Sequence, residues 1–347
     1  MKKRLISKLL IIALVLSIFS TTSYIFAIGE GPNYNGHETV NGSRITSYED
    51  MVSQLQKYDK KSDLIYMEVI GKSVKGRNLY LVKFGNYNEK NPTVLFMTQQ
   101  HGNEVLSTEA ALEVIKNLST NDKKVREWAD KVNVFFIPRY NPDGGAGDVN
   151  FDISNYAGGG LATRANANGT DLNRDHQARK EPETQALHGN VLKKYKIDYM
   201  VDFHHQGTQS AIDDEYVTGS ILYPTNRAVD QEIVLASKRL GAVLYHAVSA
   251  KGWGHIGRYN GTTDVTMIRN GIPMDYGTAA LLFEMRGMID HSSSGMILGQ
   301  KSNGYLIQQS VVSMEAIIGA IADGSIYDAD ISFWDTLPVQ RNKVTEE

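Results

Sequence analysis

The chain has no cysteine among its 347 residues. That absence excludes disulfides, a thiol nucleophile, a thiolate metal site and a lipid-modified N-terminal cysteine. Past the N-terminus, no segment reads as an apolar run of the ~20 residues that a membrane-spanning helix needs. An excess of positive charge is missing as well. The formal net charge is −3, so composition offers no electrostatic footprint for nucleic acid. What is present is 41% hydrophobic residues, and a chain of this size must draw its stability from one large core.

The first 27 residues stand apart. Lys2, Lys3, Arg4 and Lys8 form a cationic start, residues 9–19 are almost wholly apolar, and a polar stretch ends in Ile25-Phe26-Ala27. This is the pattern of a secretory signal peptide, residues 1–27, cut after Ala27. An uncleaved anchor is the alternative, because only the last small residue of the usual pair is present. The expected localisation is therefore secreted or extracellular. Removing the segment takes away four positive charges and no acid. The mature chain should then be more acidic, bind no nucleic acid, hold no integral membrane span and be a monomer. Residues 28–44, rich in Gly and Asn, read as a short leader. Residues 45–322 show no repeat or linker and read as one domain, and 323–347 as an irregular tail docked in part by Ile331, Phe333 and Trp334.

Apolar runs at 64–70, 78–84, 93–97, 132–137, 199–203 and 280–285 are candidate strands, several of them continuous as expected of strands covered on both faces. Helical periodicity runs through Val229, Ile233, Ala236, Leu240, Val243 and Ala247, and through Ile307, Val311, Met314, Ile318 and Ile321. Residues 109–118 and 182–195 are further helices, the second opened by Pro182, which suits a first turn. Alternation of this kind implies an α/β fold with a mixed, mostly parallel sheet. The Gly- and Asn-rich stretch 141–170 is a long loop of the sort that carries function. Binding groups in such sheets collect at the carboxyl ends of strands.

That rim is where the chemistry lies. In TQQHGNEVLSTEAAL (98–112), His101 and Glu104 follow the run TVLFM and share one face of a turn. His204-His205 follow YMVDF at another strand's end. Two imidazoles and a carboxylate with one position open are the donor set of a catalytic zinc site. H-x-x-E alone is also a common loop pattern, and alternation does not say which of the two histidines faces a metal.

Four more segments follow in order: PRYNPDGG (138–145), RANANGTDLNRD (164–175), VDFHHQG (201–207) and LLFEMRG (281–287). With HGNE they form a constellation that resembles the zinc carboxypeptidases of the M14 family, over about residues 43–322. The resemblance implies a single-domain α/β/α sandwich and one Zn²⁺ per chain. It implies His101, Glu104 and His204 as ligands, leaving His205 as a pocket neighbour or structural residue. Glu284 would be the general base, Arg164 the group polarising the scissile carbonyl, and Asn173 with Arg174 the grip on the substrate's terminal carboxylate. Asp171 would orient the first histidine, Tyr259 would close over the carboxylate, and Thr263 would sit at the base of the specificity pocket.

The implied substrate is a peptide with a free C-terminal carboxylate. Cell-wall stem peptides, including γ-D-glutamyl bonds to diaminopimelate, are the alternative, and a non-catalytic peptide-binding relative is a second. Thr263, neither acidic nor bulky, argues against a strict preference for terminal Lys or Arg. The 15–20 residues between the cleavage site and the first element are too few for a folded inhibitory pro-domain, so activity without further trimming is expected. Asp143 and Asp175 are read as turn residues, Arg286 as either an anion contact or an ion pair. GWGHIG (252–257) lacks the strand-to-helix context of a dinucleotide site, and no G-x-S-x-G elbow occurs. His37, His176, His188, His246, His255 and His291 read as surface or polar-network residues, with His255 near the cleft beside Tyr259.

Overall fold

The computed structural model describes residues 46–120, 122–145, 157–158, 164–287, 289–292, 295–298 and 303–342. The signal peptide, the leader, His37 and most of the 141–170 loop lie outside the described residues.

Eight strands form the main sheet: β1 (Ile65–Lys72), β2 (Asn78–Phe84), β3 (Thr93–Thr98), β4 (Asn133–Ile137), β5 (Tyr199–Gln206), β6 (Gly219–Leu222), β7 (Ile256–Arg258) and β8 (Ala279–Arg286). Their spatial order is β1-β2-β4-β3-β5-β8-β6-β7. The centre, β4-β3-β5-β8, is parallel, while β1-β2-β4 and the β8-β6 pair are antiparallel. The sheet is mixed and mostly parallel, as the alternating pattern required.

Period-two alternation sorts the central strands into two cores. Val94, Phe96, Val134, Phe136, Val201 and Phe203 face one side. Leu95, Met97, Phe135, Ile137 and Met200 face the other. The first side is covered by α1 (Tyr48–Lys61), α2 (Leu106–Leu118), α3 (Gln231–Ser249) and α5 (Asn303–Asp323). The second packs against α4 (Ile268–Tyr276) and the turns around Leu187 and Val191. Helices thus lie on both faces of the sheet, which is the α/β/α arrangement.

Three features depart from the sequence pattern. The helix expected over 182–195 is α-helical only for Pro182–Leu187, then widens into a π turn at His188–Leu192. The segment Gly304–Asp323, within α5, has the length and hydropathy of a membrane span, although no such run is expected past the N-terminus. Its residues Val311, Met314, Ile317 and Ile318 are buried in the core. The tail beyond Asp323 is more ordered than expected. It forms a 3₁₀ turn (Ser325–Asp328) and a short helix (Phe333–Thr336) with Trp334 buried, and Arg341–Asn342 pairs antiparallel with Ser210–Ile212.

Candidate metal centre

β3 delivers its ligand turn through a strained residue. Gln99 has φ 55°, a left-handed conformation that costs a non-glycine residue energy. Its side chain holds the turn closed: Nε2 donates to the Gly102 carbonyl at 2.8 Å, and Oε1 accepts from Thr108 Oγ1 at 2.6 Å and Arg139 Nε at 2.9 Å. His101 and Glu104 emerge from this turn, and His204 comes from the carboxyl end of β5, all three buried.

Their ligand atoms converge. His101 Nδ1 lies 2.7 Å from Glu104 Oε1, His204 Nδ1 lies 2.8 Å from Glu104 Oε2, and the two Nδ1 atoms are 3.1 Å apart. All of these atoms fall within 4.8 Å of one another. The far ring nitrogens face carboxylates: His101 Nε2 meets Asp171 Oδ1 at 2.9 Å and His204 Nε2 meets Asp202 Oδ2 at 2.5 Å. A carboxylate only accepts, so each Nε2 carries a proton toward its carboxylate, and the two Nδ1 atoms face inward, where a metal would take their lone pairs. Three electron-pair donors then share one small volume. Without a cation there, they repel.

The electrostatics show the same demand for positive charge. Burial opposes ionisation of Glu104, but the facing charges of His101 and His204 override it and hold the carboxyl well below its usual range. Burial also opposes a charged His204, yet Asp202 and Glu104 push it well above an ordinary histidine. Donor set, spacing and outer carboxylates therefore suit a zinc ion.

Glu284 stands on β8 directly opposite His204 in the parallel β5-β8 ladder. Burial raises its pKa to about 7, helped by the charge of Glu104 and opposed by His204. Arg164 reaches the same centre, with Nη2 3.2 Å from Asp171 Oδ2 and Nη1 3.5 Å from Glu104 Oε1. A pocket of about 240 Å³ brings His101, Glu104, Arg164, Asn173, Arg174, Tyr259 and Glu284 to one surface. Asn173 Oδ1 accepts the Ile268 N–H at 3.0 Å, and Arg174 Nη1 is steadied by the Asn173 carbonyl at 2.9 Å. The Tyr259 phenol is pushed above its ordinary pKa first by the Glu284 charge, then by burial.

Of the remaining candidates, only His205 lines this pocket. Thr263 is not part of this pocket wall; its carbonyl accepts from Asn226 Nδ2, and Thr262 and Arg269 line the pocket in its place. The residue one position earlier, Thr262, is the one that reaches the pocket. His205 lines the pocket as a neighbour of the ligand, its ring held neutral by burial with a pKa lowered to about 4. Asp143 binds Ser73, the Lys75 N–H and Arg77, and Asp175 caps the N–H groups of Lys180 and Glu181. Arg286 donates to the Thr208 carbonyl and lies over the Tyr216 ring. His255 faces the Tyr216 carbonyl.

Sequence reasoning missed Asp202 and Gln100. Asp202 had a signal, since it precedes His204 by two and shares its strand face. Gln100 spans Asp202 and His176, and the contacts continue through His188 to the Tyr276 hydroxyl. His176 and His188 are thus members of a buried polar chain behind the second ligand.

A family model for zinc carboxypeptidases, peptidase M14, matches residues 51–289. The chain belongs to that family, a family of peptide hydrolases. Among curated relatives, the catalytic chain of carboxypeptidase N from Rattus norvegicus is 32% identical over 141 residues, covering 37% of this chain and 30% of that protein. A zinc carboxypeptidase from Saccharothrix mutabilis subsp. capreolus is 30% identical over 142 residues, covering 37% and 31%. The matched part is thus about a third of those relatives' length. Among solved structures, a metallo-carboxypeptidase from Burkholderia cenocepacia superposes with TM-score 0.61 at 17% identity over 80% of this chain and 70% of that one. Carboxypeptidase A from Helicoverpa armigera gives 0.60 at 17% over 81% and 74%. These likenesses establish the fold.

Proposed function

We propose that the protein is an exported zinc carboxypeptidase that removes the C-terminal residue of peptides. The observation that carries the reading is the convergence of His101, Glu104 and His204 beside Glu284, in one pocket with Asn173 and Arg174. A zinc ion held by the three ligands supplies the Lewis acidity that polarises the scissile carbonyl and acidifies water. The chain's own groups do the rest. Arg174, with a forked donor, and Asn173 hold the terminal carboxylate and so restrict cleavage to a chain end. Tyr259 closes over it. Glu284 takes the proton of the attacking water as the oxygen bonds to the carbonyl carbon. Arg164 stabilises the charge that builds on the carbonyl oxygen. Glu284 then passes the proton to the amide nitrogen as the C–N bond breaks, giving a shortened peptide and a free amino acid. Burial pushes the Glu284 carboxyl up, the direction that lets it hold a proton between the two halves of that transfer. Asp171 steadies His101 throughout.

Metal analysis should find one zinc per chain, lost in His101→Ala. Glu284→Gln should keep zinc and peptide binding while turnover falls about 10²–10⁴-fold. Full activity in that variant would remove the proposed base, and a zinc-loaded protein without turnover would be the binding relative instead. Mass spectrometry of a peptide library beside muropeptides reports which substrate shortens. Intact mass of the secreted product tests export, with a chain starting at Ile28 as the expected result.

A further inference from the structure

Arg269 lies in the wall of the pocket that holds Glu284 and Asn173, and only 3% of it is exposed. Its Nη1 donates to the Tyr223 carbonyl at 2.9 Å and the Thr225 hydroxyl at 3.0 Å, and its Nη2 to the Thr262 carbonyl at 2.7 Å. Nη1 also lies 3.4 Å from Asn270 Oδ1. Every one of these acceptors is neutral. None of the ion pairs among the described residues includes Arg269, whereas Arg164 in the same pocket faces two carboxylates. Burial lowers its pKa, but only to about 10, with Tyr259 and Glu284 favouring the charge. Arg269 is therefore a cation at neutral pH.

A guanidinium taken out of water without a counter-ion is costly, and such groups are normally paired. Here the neutral acceptors fix the direction of the side chain without neutralising it. Nε–H and one hydrogen on Nη2 have no acceptor among the described residues. Two donors on one planar group suit a two-point contact with a carboxylate. Of the cavity's own acids, Glu104 faces His101 and His204 and Asp202 faces His204, while Glu284 acts on Arg269 through its charge without forming an ion pair with it among the described residues. Arg269 thus has no contacting counter-ion among the described residues, and the cavity it lines measures about 240 Å³.

We propose that Arg269 selects substrates whose terminal residue carries a second carboxylate, on its side chain. This rests on the carboxypeptidase reading of the site and names its substrate class. Asn173 and Arg174 take the main-chain carboxylate, and Arg269 takes the side-chain one. The two recognition points are mechanically joined, because Asn173 Oδ1 accepts the N–H of Ile268, the residue just before Arg269. A glutamine of the same shape leaves the cation unpaired. A terminal lysine or arginine adds a like charge to it.

The test uses the zinc-loaded full-length protein and one peptide scaffold ending in Glu, Asp, Gln, Leu or Lys. The expected kcat/KM for the Glu end exceeds that for the Gln end by about 100-fold or more, since a site built for a polar partner rejects the analogue that cannot supply it. Arg269→Gln should bring the Glu-to-Gln ratio close to one, and Arg269→Lys, which keeps the charge but loses the fork, should restore part of it. A role confined to tying the loop would alter stability and leave the ratio unchanged. Binding of the same peptides to zinc-loaded Glu284→Gln protein, read by calorimetry, gives a second measure independent of turnover. Equal handling of Glu and Gln ends by the unaltered protein, in turnover and in binding, overturns the assignment of Arg269 and leaves the hydrolase reading standing. Tighter binding of Glu ends without any turnover supports Arg269 and overturns the hydrolase reading.

Discussion

At the scale of single residues, the centre is set by groups one shell behind the ligands. Asp202 holds His204 through Nε2, as Asp171 holds His101. An amide in place of Asp202 offers a neutral, weaker acceptor and no longer makes the imidazole more basic. Asp202→Asn should therefore weaken zinc affinity by about 10–100-fold with the fold retained, measured by competition against a chelator of known affinity. Unchanged affinity would reduce Asp202 to packing. The ligands themselves were legible in the sequence, because five blocks in a fixed order decide what one His or Glu at a strand's end leaves open. Arg269 was not legible: the cue that marks it is burial without an ion partner, which only three dimensions reveal. Thr263 shows the complementary case, since its neighbour Thr262 lines the pocket instead.

At the scale of elements, strands buried on both faces announced themselves as unbroken apolar runs, and β3 and β4 are buried along their whole length. The short β6 and β7 did not, having four and three residues with a glycine in each. The π turn at His188–Leu192 was equally hidden, because its side-chain pattern over so few residues is that of an α-helix. It carries His188, which burial and the charge of Arg179 and Lys193 lower to a pKa of about 3. An unfolded histidine titrates near 6.5. As pH falls from there toward 3, the unfolded chain binds a proton that the folded one refuses, so the stabilisation present above about 6.5 is progressively lost. At pH 5 that loss amounts to at most about 2 kcal/mol. His188→Asn should flatten this part of the stability profile, seen as a smaller drop in urea midpoint between pH 7.5 and pH 5 than in the unaltered protein. Parallel curves would show that His188 titrates as a solvated group.

At the scale of the whole molecule, the segment beyond α5 belongs to the core. Trp334 is buried, donates its Nε1–H to the Lys238 carbonyl at 3.0 Å, and stacks edge-on to Tyr223. The closeness of Gly241 to its indole ring leaves no room there for a side chain. Trp334→Ala should cost about 3–5 kcal/mol, visible as a lower thermal midpoint with zinc loaded, whereas a loosely tethered tail would leave the midpoint unchanged. The pairing of His204 with Glu284 across neighbouring parallel strands has a different kind of consequence. His204 and Glu284 are clamped to a common scaffold, while Tyr259, Thr262 and Arg269 lie along residues 259–269. On the reading proposed above, the wall that tells substrates apart can vary while the ladder stays fixed, provided that the Ile268 N–H keeps its hold on Asn173; a segment transplanted from a differently tuned homologue should retarget cleavage only where that bond survives.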